Sequence, residues 1–257
     1  MSGTPLPVVA YEREHHEAAL YRFVEKVLGA EKCERRRRVI DTMHTTMPGH
    51  DRFPLRYVIV DGDRVAGSMG HMPADFWIKG KRVAARFTHD LLVDPDYRGG
   101  GLARLLVDNA RAQGDFFPGG MWMTQPCHQI HVKCGFAEAT PLTTYSMVLN
   151  PALFAARKQL SPLKALVARA GLGVSGALAL RRARRDAARA GLEEIKRFDS
   201  GLDPVWEKLG AGYGVTRVRD AAYLNWKYMD HPSLVYRALV ARRGAEVVGY
   251  MIWRLAP

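Results

Sequence analysis

The residues best suited to chemistry stand in one short run, Arg98-Gly99-Gly100-Gly101-Leu102-Ala103-Arg104. Glycines there put no Cβ between backbone N–H groups and an approaching anion. The residues that follow, LARLLVDNARA, carry apolar side chains at helical spacing, so the glycines open a helix. The first turn of a helix has unpaired N–H donors and a partial positive charge, and a pyrophosphate satisfies both. Arg98 adds a charge-assisted contact. Two common phosphate loops are excluded. No Gly-Lys-Ser/Thr follows, as a Walker A loop needs. The third glycine of a dinucleotide fingerprint is absent, and the strands before the turn read as antiparallel rather than as a βαβ unit. A second group is Cys127, His128, His131 and Cys134. On a helix, 127, 131 and 134 share a face, which is tolerable metal geometry. The spacing matches no standard zinc pattern and the Gly135 turn follows at once, so the expectation is no metal and a core-facing Cys134.

The elements around the turn are legible from periodicity. Residues 5–11 read as a short strand. Residues 11–29 have apolar positions at helical spacing with Gly29 as a C-cap, and a second helix covers 30–47, before Pro48-Gly49. Arg35 to Arg38 wind right round that helix and read as a solvated surface. Two β-rich runs flank Asp61-Gly62, a strong hairpin signal. The second run reaches about Trp77, Lys79-Gly80-Lys81 turns the chain, and RVAARFTHDLLV makes a third antiparallel strand. Asp94-Pro95-Asp96 ends it, since proline removes a donor. A strand at 120–124, a short helix near 127–133, the Gly135-Phe136 turn and a strand near 142–149 complete a first domain, 1–150. Residues 151–191, rich in Ala, Leu and Arg, read as a helical connector. In 192–257, Val247-Val248-Gly249-Tyr250-Met251 repeats Val65-Ala66-Gly67-Ser68-Met69, which predicts a partial, degenerate copy of the first domain without a phosphate turn.

With 257 residues and 47% hydrophobic content, the chain can build a real core and is not expected to be disordered. A balance of 38 Lys and Arg against 26 Asp and Glu, net +12, suits polyanionic partners without choosing among them. Nucleic acid is not expected, because Arg35–Arg38 and Arg181–Arg185 have no interleaved aromatics. Three cysteines without regular spacing are no disulfide framework. The N-terminal residues lack a basic head followed by an apolar run, and Pro162, Lys164 and Arg169 interrupt the weakly polar stretch 160–180. No signal peptide and no membrane span are therefore expected, and a cytoplasmic location is the default.

The run from 87 to 106 resembles the acyl-CoA signature of the GNAT acetyltransferases, Arg/Gln-x-x-Gly-x-Gly/Ala, with Arg98, Gly101 and Ala103 in the fixed places. Val93-Asp94-Pro95-Asp96-Tyr97 and Lys133-Cys134-Gly135-Phe136 also resemble segments of that family, and the order of strands is similar over roughly residues 5–149. The resemblance implies an α/β (α+β) GNAT fold, a mixed and mostly antiparallel sheet flanked by helices, and acetyl-CoA or another acyl-CoA as donor. It implies that the backbone of Leu91, Leu92 and Val93 meets the pantetheine, with an N–H near Val93 polarising the thioester carbonyl. It further implies that the amides of Arg98, Gly99, Gly100, Gly101, Leu102, Ala103 and Arg104 hold the pyrophosphate, and that the strand at 120–124 forms the other wall.

Direct transfer to an amine needs a base for the ammonium proton and benefits from an acid for the thiolate. Where many members carry a tyrosine, four residues before the glycine of the closing turn, this chain has His131, and imidazole can donate a proton at neutral pH. The strand at 120–124 has no acidic residue. His89 and Asp90 are the nearest candidates for the base, and strand alternation puts them on opposite faces. The run Arg219 to Tyr228, followed by His231-Pro232, resembles the second unit of tandem GNAT proteins. It reads foremost as a helix packed on the first domain, with Trp226 and Tyr228 as candidate linings of an acceptor pocket. The expected activity is acyl transfer to a small-molecule or peptide amine. The alternatives are a GNAT-like module that binds acyl-CoA without turnover and, behind it, a nucleic-acid binder. The residues do not tell the acceptor or the oligomeric state.

Overall fold

A computed structural model of the chain describes residues 6–113, 123–137, 150–189 and 191–254. In chain order the elements are β1 (Val8–Ala10), α1 (Arg13–Leu28), α2 (Ala30–Thr46), β2 (Arg56–Asp61), β3 (Arg64–Ile78), β4 (Lys81–Val93), α3 (Leu102–Ala112) and α4 (Gln125–Lys133). There follow α5 (Pro151–Arg157), α6 (Pro162–Arg189), β5 (Gly191–Ile195), α7 (Asp203–Ala211), β6 (Val215–Arg217), α8 (Ala221–Leu224) with a π-helical turn over Asn225–Met229, β7 (Arg237–Arg243) and β8 (Glu246–Trp253). The strands expected at 120–124 and 142–149 lie largely or wholly outside the described residues.

The chain divides into two compact units, one made of Met1–Ala137, Lys196–Arg237 and Ile252–Pro257, the other of Glu138–Ile195 and Ala238–Met251. The residues expected as a single partial copy, 192–257, are thus shared between the units. Long-range pairing is the reason: β6 runs antiparallel to the outer end of β3, with Arg217 opposite Phe76 and Val215 opposite Ile78. Local pattern cannot announce such a pairing.

The sheet of the first unit runs β1-β2-β3-β4, with antiparallel neighbours throughout. The β3–β4 hairpin closes over Lys79 (φ 48°) and Gly80 (φ 77°), the two positive-φ positions that a type I′ turn requires. Alternation along β2 feeds two cores. Tyr57 and Ile59 join Ala66, Met69, Leu106, Val107, Ala110 and Cys134 under α3. Val58 joins Val65, Leu20, Phe23, Val24 and Cys33 under α1 and α2. Each buried Leu, Ile or Val contributes about 1.5–3 kcal/mol. The sheet is thereby clamped between α3 and the α1–α2 pair, which holds the end of β4 and the glycine turn rigidly beside each other.

In the second unit β5, β7 and β8 form a three-stranded sheet, and α5 precedes the 28-residue α6. The glycines at 171, 173 and 176 lie inside α6. Each costs about 1 kcal/mol against alanine, and the good helix formers around them outweigh that cost. By length and composition, Pro162–Arg182 is long and apolar enough to cross a membrane, and among its described residues none is buried within the protein.

Candidate active site

The turn that opens α3 is braced from below. Asp94, 3% exposed, donates its backbone N–H to the Ala66 carbonyl (2.9 Å) and accepts from the Asp96 N–H with its side chain (3.0 Å). Lys26 of α1 reaches Asp94 (2.7 Å) and Asp96 (2.6 Å), Arg64 reaches Asp96 (3.3 Å), and the Tyr97 hydroxyl donates to Asp61 (2.6 Å). Burial alone would raise the Asp94 carboxyl, but Lys26 and the Asp96 amide hold it below the usual carboxylate range. Above this brace, Gly99 (φ 84°) and Gly101 (φ 79°) take left-handed conformations, and a Cβ on either would meet nothing within 4 Å. Gly101 caps α3 without a side-chain hydrogen bond. The outer face of the turn is therefore open backbone, with the first amides of α3 lacking intrahelical acceptors. Arg98 is exposed beside it, and the Arg104 side chain turns away to Asp108 (3.3 Å).

At the end of β4, Leu91 packs toward α3 and Leu92 toward α1. The Asp94 N–H points inward to β3, so by strand alternation that of Val93 points to the opposite edge. Among the described residues no strand pairs that edge of β4.

The register of β3 and β4 slips between Ser68 and Gly70. Ser68 faces Leu92 and Gly70 faces His89, leaving Asp90 and Leu91 opposite Met69 alone. Asp90 takes φ 53°, a left-handed conformation that costs a non-glycine residue on the order of 1–3 kcal/mol. This β-bulge corrects the alternation expected for His89 and Asp90. The extra residue turns both side chains to one side, and His89 Nδ1 lies 3.3 Å from Asp90 Oδ2. Arg36 of α2 also pairs with Asp90, and Arg56 Nη2 lies 3.9 Å away. Burial alone would raise the Asp90 carboxyl, and His89 and Arg36 overcome it to hold the group well below the usual carboxylate range. Burial pushes His89 below its ordinary value against the pull of Asp90, with Arg56 and Arg36 adding to the fall. His89 is thus neutral near pH 7 and oriented by a carboxylate. Its ring lies over Gly70, where a Cβ would come within 2.3 Å of it. Arg56, 1% exposed, donates to Ser68 Oγ (3.2 Å), and burial depresses its pKa.

His131 is 4% exposed, with its ring edge-on to Phe136 at 5.2 Å. Its Nδ1 lies 2.8 Å from the Cys127 carbonyl, so Nδ1 carries the hydrogen and the neutral ring presents a lone pair at Nε2. Nε2 is buried without a hydrogen-bond partner among the described residues. No hydrogen bond or ion pair joins His131 to His89 or Asp90 among them. Cys134 lies in the α3 core, and no three His, Cys, Asp or Glu side chains among the described residues gather as a metal site.

Residues 18–136 match the family described as Acetyltransferase (GNAT) family, a span that takes in the glycine turn, the bulge and the Gly135 turn. Residues 18–136 form a GNAT-family domain. Solved structures repeat the fold over nearly the whole chain. The GCN5-related N-acetyltransferase from Anabaena variabilis superposes with a TM-score of 0.59 at 14% identity, covering 96% of this chain and 54% of that one. A probable N-acyltransferase from Enterococcus faecalis gives 0.54 at 11% identity (98% and 56%), and the GCN5-related N-acetyltransferase from Kribbella flavida gives 0.51 at 13% (98% and 56%). This chain spans about half the length of each, and at these identities the likeness is one of fold. No curated protein matches the chain in sequence. The family match ends at residue 136 and does not extend over 192–257.

Sequence reasoning missed two members of the GNAT domain's polar centre, Arg36 and Arg56. Arg36 belongs to the run read as solvated, and its neighbours bear that reading out: Arg38 pairs with Glu34 (3.3 Å) and Arg37 lies over the Tyr21 ring. Arg36 differs because it stands three residues after buried Cys33 and four before buried Ile40, on the inward stripe of α2. That spacing was the available signal. Of the two aromatics expected in an acceptor pocket, Trp226 lines a cavity of the GNAT-bearing unit with Met47, Arg217 and Tyr223, while Tyr228 packs against Tyr236 at 5.1 Å.

Proposed function

We propose that the protein transfers an acetyl or similar acyl group from acyl-CoA to an amine, directly, within a ternary complex. The observation that carries this reading is the open-backbone turn at Gly99–Gly101, braced by Asp94 and adjoining an edge of a bulged strand that no strand pairs among the described residues. The turn fits a pyrophosphate: a Cβ on Gly99 or Gly101 would meet nothing within 4 Å, and Arg98 supplies charge. The Gly99 and Gly101 amides have no backbone acceptor among the described residues, while those of Arg98 and Gly100 make only long bonds to the Pro95 (3.3 Å) and Tyr97 (3.4 Å) carbonyls. Pantetheine amides then lie along the β4 edge at Leu91–Val93, and the outward N–H of Val93 polarises the thioester carbonyl.

His89 is assigned as the general base and Asp90 as the residue that orients it. The amine nitrogen attacks the thioester carbon and forms the C–N bond. His89 Nε2 takes the amine proton, the C–S bond breaks, and the thiolate leaves with the electron pair. His131 can protonate that thiolate only from its imidazolium form, because its neutral Nδ1–H is committed to Cys127. This favours one second reading, a domain that binds acyl-CoA but turns over slowly for want of an acid.

Thermal unfolding with acetyl-CoA tests the donor site. At about 100-fold over its dissociation constant the ligand adds roughly 2.7 kcal/mol. Gly101→Asp puts a carboxylate at the helix start and is expected to abolish the shift. An equal shift in that variant would remove the turn as the site, and no shift with any acyl-CoA would sink both readings. Thiol release across an amine panel then separates enzyme from binder.

A further inference from the structure

The GNAT-bearing unit holds a cationic cluster that the proposed chemistry leaves unused. Pairing of β6 with β3 sets Arg217 beside the α8 segment, with its guanidinium 4.3 Å from the Tyr223 ring centre and 5.7 Å from that of Phe87. Lys227 Nζ lies 5.4 Å from the same Tyr223 ring, on which both cations converge. Arg217 has one hydrogen bond, to the Pro73 carbonyl at a marginal 3.5 Å. No carboxylate among the described residues bonds or ion-pairs with Arg217 or Lys227. The acids nearby are committed elsewhere: Asp75 to Arg52 and Arg82 (both 2.6 Å), Asp220 to the Tyr223 N–H (2.9 Å) and Arg82 (3.4 Å). Burial depresses both Arg217 and Lys227; Arg219 adds to the fall of Arg217 against the pull of Tyr223, Tyr228 and Asp75, and Arg217 and Arg219 add to that of Lys227 against the pull of Tyr228. An unpaired, half-buried cation is costly, and the cost is offset when a ligand brings the opposite charge.

Arg217 and Tyr223 open on a small cavity of about 60 Å³ whose walls also include Trp226, Met47, Pro73 and the committed carboxylates Asp75 and Asp220, with Lys227 outside the lining beside the Tyr223 ring. Trp226 adds an independent sign of a missing partner, for its buried indole Nε1 has no hydrogen-bond acceptor among the described residues. The ring packs with Met72 around Met47 and Leu55. Met72 is the cross-strand partner of Phe87, and Gly70 that of His89. Phe87 and His89 therefore share a face of β4, about 7 Å apart. Phe87 thus stands on β4 between the base and Arg217.

We propose that this cavity is the far end of the acceptor site, and that the acceptor is an amine joined by an apolar spacer to an oxyanion, carboxylate or phosphate, held by Arg217 and Lys227 over Tyr223. The inference rests on His89 marking the amine end of the site. His89 and Phe87 are themselves about 7 Å apart along β4, and the Arg217 guanidinium lies a further 5.7 Å from the Phe87 ring. The amine and the oxyanion are therefore separated by more than an α-amino acid spans, which suits ω-amino acids as the preferred class. The planar guanidinium provides a two-point contact for either oxyanion, and Lys227 a point charge.

The test uses the full chain, acetyl-CoA and thiol release. Substrates are ω-amino carboxylates and ω-aminoalkyl phosphates of graded length, each matched to the n-alkylamine of equal length. The expected result is a kcat/KM about tenfold or more above the alkylamine at one preferred length, as a charged hydrogen bond supports, expressed mainly in KM. The better of the two series identifies the oxyanion. Arg217→Gln is expected to erase that preference and Lys227→Met to reduce it, with the acetyl-CoA thermal shift as the check that each variant is folded. Alkylamines used as well as their anionic partners, or a preference intact in Arg217→Gln, would overturn the proposal. If no amine supports thiol release, the transferase reading fails by itself. Calorimetry of 6-aminohexanoate against hexylamine then decides the cavity: binding of the former, lost in Arg217→Gln, upholds the oxyanion site, and no binding refutes it.

Discussion

Replacing Asp90 with asparagine isolates the charge at the bulge. Asparagine tolerates the left-handed conformation as well as aspartate does, so the φ of 53° and the register of β3 and β4 need not change. What is lost is the negative charge facing Arg56, Arg36 and His89. Arg56 is 1% exposed and cannot turn to water, and removing one partner of a buried pair costs about 3–5 kcal/mol. Asp90 is 22% exposed and Arg36 32% exposed, so solvent relieves part of that penalty and the Arg36 pair adds only about 0–1 kcal/mol. The expected loss is about 3 kcal/mol in denaturant unfolding at pH 7, with the slope unchanged. Because the folded Asp90 is held below its unfolded value, its contribution is complete above about pH 3.9 and disappears as pH falls through the lower folded value. The gap between the two proteins should therefore be as large at pH 5 as at pH 7 and close only in stronger acid. A gap under about 0.5 kcal/mol at pH 7, or one that closes between pH 7 and 5, would refute Asp90 as the counter-charge of a buried cluster.

Other outcomes follow from the same geometry. Gly70→Ala drives a methyl into the His89 ring, at a cost of about 1–3 kcal/mol; kcat should fall about 10²–10⁴-fold with acetyl-CoA affinity kept, and an unaltered kcat would separate His89 from the reaction. Burial holds His89 below its ordinary value, so the base is already neutral at pH 7. The profile of kcat should accordingly be level above about pH 6.5 and fall only in more acid solution, whereas an ascending limb centred at 7.5 or higher would point to another base. His131→Ala should lower kcat while sparing the dissociation constant of acetyl-CoA, and a rate equal to that of the parent would remove His131 as the proton donor to the thiolate.

What the sequence determined by itself is local. The glycine turn, the two-residue loop at Lys79-Gly80, the apolar spacing of α1, α2 and α3 and the short α4 depend on contacts a few residues apart, and composition and periodicity record such contacts directly. Tertiary structure decided the rest. The slip that turns His89 and Asp90 to one side is a property of the β3–β4 register, invisible along β4 alone. Arg36 and Arg56 become its counter-charges only when α2 and β2 pack on the same face. Arg217 joins the far end of the cavity because β6 pairs with a strand formed some 140 residues earlier in the chain. His131 kept its predicted place on α4, but its tautomer was set by a backbone carbonyl one turn away and its burial by the core around it. Burial and strand register are set by what arrives from elsewhere in the chain. That is why the glycine turn at the start of α3 could be read in advance and the polar centre at the bulge could not.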